Sequence, residues 1–232
     1  MGKESLASSP YAFYAFYELY KYLGLTAKRH TLNQVGEILY PDFKLNPKLI
    51  TSLFITWKKQ TKKYLQFADD DGYILRGCIG TFAKMPIDKG IERFSIIAAT
   101  EDNRFPPVGE EEISKLKCCC NILQNFETIF SKNGDDKEGD IFNWELGVHG
   151  IELKFKYKGI HSSTFLPEVM IEQDWDKEDT FRNLIEKAGC ERHVTEIMDN
   201  YEEYFIEVIR YEGRKSAISY KTFKKELSKL EE

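Results

Sequence analysis

The chain has 232 residues, 42% hydrophobic and 14% aromatic, enough to bury a large core. Its formal net charge of −5 argues against a general binder of phosphate backbones. No apolar run approaches the roughly 18 residues a membrane helix needs.

The start, MGKESLASSP, has no apolar signal core. It begins Met-Gly, but Leu6 stands where the myristoylation pattern wants Ser or Thr, so lipidation is not expected. Ser9-Pro10 reads as a cap followed by a first-turn proline. Phe13, Phe16, Tyr17 and Tyr20 form one aromatic stripe at helical spacing, read as core rather than as a stacking platform for bases. Gly24 is the expected stop.

ITSLFITW, residues 50–57, is β-branched and aromatic and predicts a strand. Lys58, Lys59, Lys62 and Lys63 come next, then Asp69-Asp70-Asp71-Gly72 and a second strand, YILRGCIGTF. The lysines and aspartates read as a solvated loop, since consecutive aspartates lack the alternating spacing of a calcium loop. A helix is expected over about 87–101, ended by Arg104-Phe105-Pro106-Pro107, with a short helix near 109–115.

KCCCNIL, 117–123, predicts a strand with Cys118 and Cys120 about 7 Å apart on one face, too far to share one zinc. With Cys78 and Cys190 the count is five and there is no C-x-x-C, so neither a disulfide frame nor a zinc module is indicated, and a reducing compartment, cytosol or nucleus, is expected. SKNGDDKEGD, 131–140, reads as an acidic surface loop. Strands are expected at about 150–157 and 160–166, and a short helix from Pro167. A helix capped by Asp176 should run over about 177–188 to Gly189. A strand at about 203–211 and a closing helix from Tyr220 to Leu230 finish the chain. Helices and strands without a regular βαβ rhythm give an α+β class.

One strand is unusual. In YILRGCIGTF, alternation puts Arg76, Cys78 and Gly80 on one face. Arg76 can then lean over Cys78 and favour its thiolate, Gly80 leaves room beside the sulfur, and Gly77 permits a bulge or a close backbone approach. Spacing alone leaves two readings open. In one, Arg76 pairs with a buried acid, Cys78 fills a gap and the glycines mark a bend. In the other, the segment is a functional site.

LRGCIGTF resembles the signature of the AMMECR family. The similarity continues through LFITWK, EDNRFPP at 101–107, WELGVHGI at 144–151, LPEV at 166–169 and KAG at 187–189, and covers roughly residues 8–230. The chain departs from the family in the acidic segment 131–140, which is longer than usual, and at Asp174 in EQDW, where relatives often carry glycine. The resemblance implies a single AMMECR-type domain over 8–230. Its fold would be a mixed, largely antiparallel sheet flanked by helices, with two unequal lobes, a cleft and the signature near that cleft. It supplies no reaction, and it tips the balance at Cys78 toward a site.

Three functional classes are open. An enzyme would use Cys78 as nucleophile and His149, in GVHG, as its base. Arg76 and Arg104 would hold an anion, and Glu168 would act as an acid or base. A binding module, with Cys78 structural, would hold a small anionic ligand, a peptide, a nucleotide or a protein partner through Arg76 and Arg104, with Gly77, Gly80 and Glu168 as further binding residues. Nucleic-acid binding through the lysines is disfavoured by the net charge. His149, His161 and Glu152 are too common a set to indicate a metal. There is no P-loop or G-x-G-x-x-G, so no cofactor is expected.

Overall fold

The computed structural model describes residues 6–61, 68–69, 71–134 and 136–231. The readings of the Met-Gly start, of Lys62, Lys63 and of Asp70 lie outside these residues. The chain divides into two compact units, one running to Ile122 and resuming at Arg214, the other Leu123–Gly213.

The first unit is built around helix α1 (Pro10–Tyr22), opened as expected by Ser9, whose hydroxyl accepts the Ala12 N–H at 3.3 Å. Every residue from Pro10 to Tyr20 is buried, so the aromatic stripe is core, and even Glu18 is enclosed against Lys21. Phe16 stacks on Phe223 with centroids 4.5 Å apart and meets Trp57 edge-on at 5.2 Å. Each such fully buried ring contributes about 1.5–3 kcal/mol. Helix α2 (Leu32–Leu39) opens with a capping box between Thr31 and Gln34. Strands β1 (Ile50–Gln60) and β2 (Tyr73–Pro86) pair antiparallel, and β2 leads directly into α3 (Ile87–Thr100).

A 3₁₀ turn, Glu110–Lys115, feeds β3 (Leu116–Asn133), which lies antiparallel on the other side of β1. Leu53, Ile55 and Trp57 of β1 and Cys118, Cys120 and Ile122 of β3 face this core, and Trp57 donates its indole N–H to the Ser95 carbonyl at 2.9 Å.

In the second unit the far end of β3 forms a hairpin with β4 (Asp136–Gly139). The expected loop at 131–140 is therefore a β-hairpin, its exposed polar residues borne on strands rather than on irregular chain. Strand β5 (His149–Lys156) pairs antiparallel with β6 (Ile160–Phe165) and with β7 (Phe205–Ser219). Between them come α4 (Pro167–Glu172), α5 (Lys177–Ile185), which is capped by Asp176, and the short helices α6 (Val194–Asp199) and α7 (Tyr201–Tyr204). Phe155, Phe181 and Phe205 centre its core. Strand β7 runs eight residues past the expected end, and α8 (Tyr220–Glu231) closes the chain. The fold is α+β with a largely antiparallel sheet flanked by helices. Among the described residues no helix is long and apolar enough to cross a membrane.

Candidate functional site

The register of β2 against β1 decides what the RGC segment presents. Thr56 lies opposite Cys78 and Trp57 opposite Gly77, but Lys58 lies opposite Leu75. Arg76 is the extra residue of a β-bulge, and a bulge breaks the two-residue alternation. Arg76 and Gly77 are accordingly both buried.

Arg76 donates to Glu112 through Nε at 3.0 Å and Nη2 at 2.6 Å. Glu112 also holds the Lys59 ammonium at 2.7 Å, and Lys59 shares the Trp57 side of β1. Cys78 instead meets Thr56, on the other side of β1. The expectation that Arg76 leans over Cys78 is thus corrected: the bulge turns the guanidinium to the opposite face and onto a buried acid. Burial alone would raise the Glu112 carboxyl. The bonds from Arg76 and Lys59 outweigh it and lower the group to about 2.

The Cys78 sulfur lies 3.0 Å from the Thr56 hydroxyl. The Cys78 N–H points away from β1 and donates to Asp102 Oδ2 at 2.8 Å. Thr56 and Cys78 therefore form the closer, non-hydrogen-bonded kind of antiparallel pair. Asp102 is buried, yet it also accepts from Arg104 through Nε at 2.8 Å and Nη2 at 2.6 Å. Arg104 Nη2 reaches the Cys78 carbonyl at 3.4 Å, and the Arg104 side chain is 52% exposed. The Arg104 guanidinium, ahead of the opposing effect of burial, holds the Asp102 carboxyl well below the usual carboxylate range. Phe105 carries both guanidinium groups over its ring, Arg76 at 5.9 Å and Arg104 at 5.6 Å. The cation beside Cys78 is Arg104.

The two glycines serve close approach. A Cβ on Gly77 would land on the backbone carbonyl of Ala98 in α3. A Cβ on Gly80 would collide with the Leu53 carbonyl and the Phe54 ring. Gly80 therefore admits the neighbouring strand and Phe54, rather than leaving space beside the sulfur.

His149 and Glu168 belong to the second unit, whereas Cys78, Arg76 and Arg104 belong to the first. His149 accepts the Glu145 N–H at Nδ1, 3.0 Å away, and its own backbone N–H returns to the Glu145 carbonyl. Glu168 stands in the first turn of α4. The residues that sequence reasoning passes over are Thr56, Asp102 and Glu112. Asp102 is legible as the acid two places before Arg104. Thr56 and Glu112 are brought in by strand pairing and by the 3₁₀ turn.

All five cysteines are free. Burial pushes the Cys118 and Cys120 thiols up, while Cys78 is half-exposed. Among the described residues no three His, Cys, Asp or Glu side chains gather as metal ligands.

A family model described as AMMECR1 matches residues 15–216. An uncharacterized protein of Saccharomyces cerevisiae is 57% identical over 229 residues, covering 97% of this chain and 91% of its own. An uncharacterized protein of Arabidopsis thaliana is 30% identical over 174 residues, 74% of this chain and 72% of that one. The crystal structure of an uncharacterized protein from Pyrococcus horikoshii shares the fold, with a TM-score of 0.58 at 23% identity over 90% of each chain.

Proposed function

The chain belongs to the AMMECR1 family, and we propose that its signature segment is a binding site for a small anionic ligand or a peptide. Cys78 and Thr56 line it and Arg104 contacts the ligand at the β2 edge. The observation that carries this reading is the Asp102 network. A buried carboxylate is costly unless paired and hydrogen-bonded. Here it ties a half-exposed guanidinium to the backbone of the half-exposed cysteine. That arrangement holds Arg104 in place before any ligand arrives, which lowers the entropy lost on binding. Arg76 acts in this reading as a brace, with Glu112 neutralising its charge.

Binding is favoured over Cys–His catalysis because the Cys78 sulfur meets a hydroxyl, that of Thr56, and not an imidazole. His149 Nδ1 is also already engaged by a backbone N–H. Five free thiols support a reducing compartment, cytosol or nucleus.

The test is iodoacetamide labelling of Cys78, read by peptide mass spectrometry with buried Cys118 and Cys120 as internal controls. A panel of carboxylates, phosphates and short peptides is added. At least one member should slow labelling, and Arg104→Lys should weaken that protection about tenfold. A Cys78 labelled equally fast with every member sinks the reading.

A further inference from the structure

The second unit holds a cluster that the proposed binding site does not use. Tyr157 follows directly on β5, and His193 and Glu196 stand three residues apart at the start of α6. That spacing sets their side chains next to each other. Tyr157 Oη lies 2.8 Å from His193 Nδ1 and 2.9 Å from Glu196 Oε2. His193 Nδ1 lies 3.1 Å from the same Oε2. Two oxygens and a nitrogen thus stand at the corners of a nearly equilateral triangle. The Tyr157 ring is buried, with the His193 ring 4.7 Å away and the Tyr204 ring edge-on at 5.5 Å. The side chains of His193 and Glu196 are 37% and 49% exposed, so solvent reaches the triangle from their side.

Hydrogen bonds alone fill this triangle badly. Each of its three edges needs a proton. The phenol brings one, Nδ1 at most one and the ionised carboxylate none. One edge must therefore share a proton or do without. A cation bonded to all three atoms leaves no edge short.

The dimensions say which kind of cation. Metal–ligand bonds of ~2.1 Å set neighbouring ligands about 3.0 Å apart in an octahedron and about 3.4 Å apart in a tetrahedron. The spacings of 2.8, 2.9 and 3.1 Å match one face of an octahedron and not the tetrahedron of structural zinc. The ligand atoms narrow the choice further. Imidazole suits zinc, copper, iron and nickel, oxygen ligands suit harder ions, and a face of histidine and carboxylate with open positions is how non-haem iron is held. A phenolate here takes the place of a second histidine.

We propose that Tyr157, His193 and Glu196 bind an iron ion through one octahedral face. Tyr157 releases its phenolic proton to water as the oxygen–iron bond forms, and nothing is oxidised or reduced. The remaining positions face solvent and take water or a small ligand. Tyr204, whose hydroxyl donates to Glu196 Oε1 at 3.4 Å, orients the carboxylate from behind the metal.

The experiment titrates the full chain with Fe(III) as its citrate complex and follows visible absorption, with iron retained after gel filtration as a second readout. A phenolate-to-iron charge-transfer band should appear and saturate, and iron should raise the Tm. Tyr157→Phe, which keeps the ring, should abolish both the band and the rise in Tm. His193→Ala and Glu196→Gln change exposed side chains and should each weaken binding by more than about tenfold, since loss of an outer-shell partner alone costs that much. A band that survives Tyr157→Phe comes from another phenol and overturns the site. Iron retained equally by all three variants is adventitious and overturns it as well, as does a chain that takes up no iron. Zinc held by these residues more tightly than iron overturns the choice of metal.

Discussion

Asp102 accepts the backbone N–H of Cys78 at 2.8 Å and, with the same oxygen, the Arg104 guanidinium at 2.6 Å. One buried carboxylate thus fixes an edge strand and an arginine at once.

The two members of that pair should not be equivalent when removed. Arg104→Ala leaves the Asp102 carboxylate buried without its guanidinium and should cost about 2–3 kcal/mol. Asp102→Ala leaves a half-exposed guanidinium that water can hydrate and should cost less, about 1–2 kcal/mol. Urea unfolding at pH 7 measures both, and the opposite order would show that Arg104 is incidental to the network.

Glu112 gives a pH signature. Its folded carboxyl is lowered, so its contribution is complete above the ordinary glutamate range, near pH 4.3. That contribution is lost as the pH falls through about 2. Glu112→Gln, which strands the buried Arg76 charge, should cost about 3 kcal/mol at pH 7. The gap to the parent should narrow progressively between about pH 4 and pH 2. A gap that stays constant down to pH 2 would mean the Arg76–Glu112 bond carries little energy.

Gly77 should be far less tolerant than Gly24. Gly77→Ala drives a methyl into the Ala98 carbonyl within a packed helix, and about 3 kcal/mol is expected. Gly24 has φ +75° with open space around it, so Gly24→Ala should cost only about 1 kcal/mol of backbone strain. Thermal unfolding of the two variants separates the effects. Equal losses would deny the close approach of α3.

Asp174 lies just past the C-cap of α4 with φ +57°, the position glycine takes freely. Asp174→Gly should therefore stabilise by about 0.5–1 kcal/mol, a rise of about 1–4 °C in Tm by calorimetry. A fall would mean that the aspartate side chain makes up for its backbone strain.

Much of the fold can be read along the chain because α1, α3, α5 and the β1, β2, β5 and β6 strands have clear residue patterns, and Ser9 and Asp176 cap α1 and α5. Helix α2 escapes such a reading although Thr31 and Gln34 stand at capping-box spacing, because eight residues offer too little periodicity. The second half of β7 is hidden because Glu212, Gly213, Arg214 and Lys215 interrupt the apolar pattern. At the site, the glycines and the signature mark the right strand. Alternation gives the wrong direction for Arg76, because a bulge is a matter of register between two strands and cannot be seen within one. The pairing of Arg76 with a buried acid, one of the two open readings, is what the fold contains.

The second unit is one uninterrupted stretch, Leu123–Gly213, whereas the first is completed only by the segment that begins at Arg214. On a ribosome, where the N-terminal part of a chain emerges first, α1 and the signature strand are made early. They must then wait for the whole of the later-made stretch before α8 and Phe223 arrive to cover Phe13 and Phe16. A chain stopped at Gly213 holds every residue of the second unit and leaves the aromatic core of the first without its lid. For the nascent chain, the segment bearing Cys78 belongs to whichever of the two units is begun earlier and completed later.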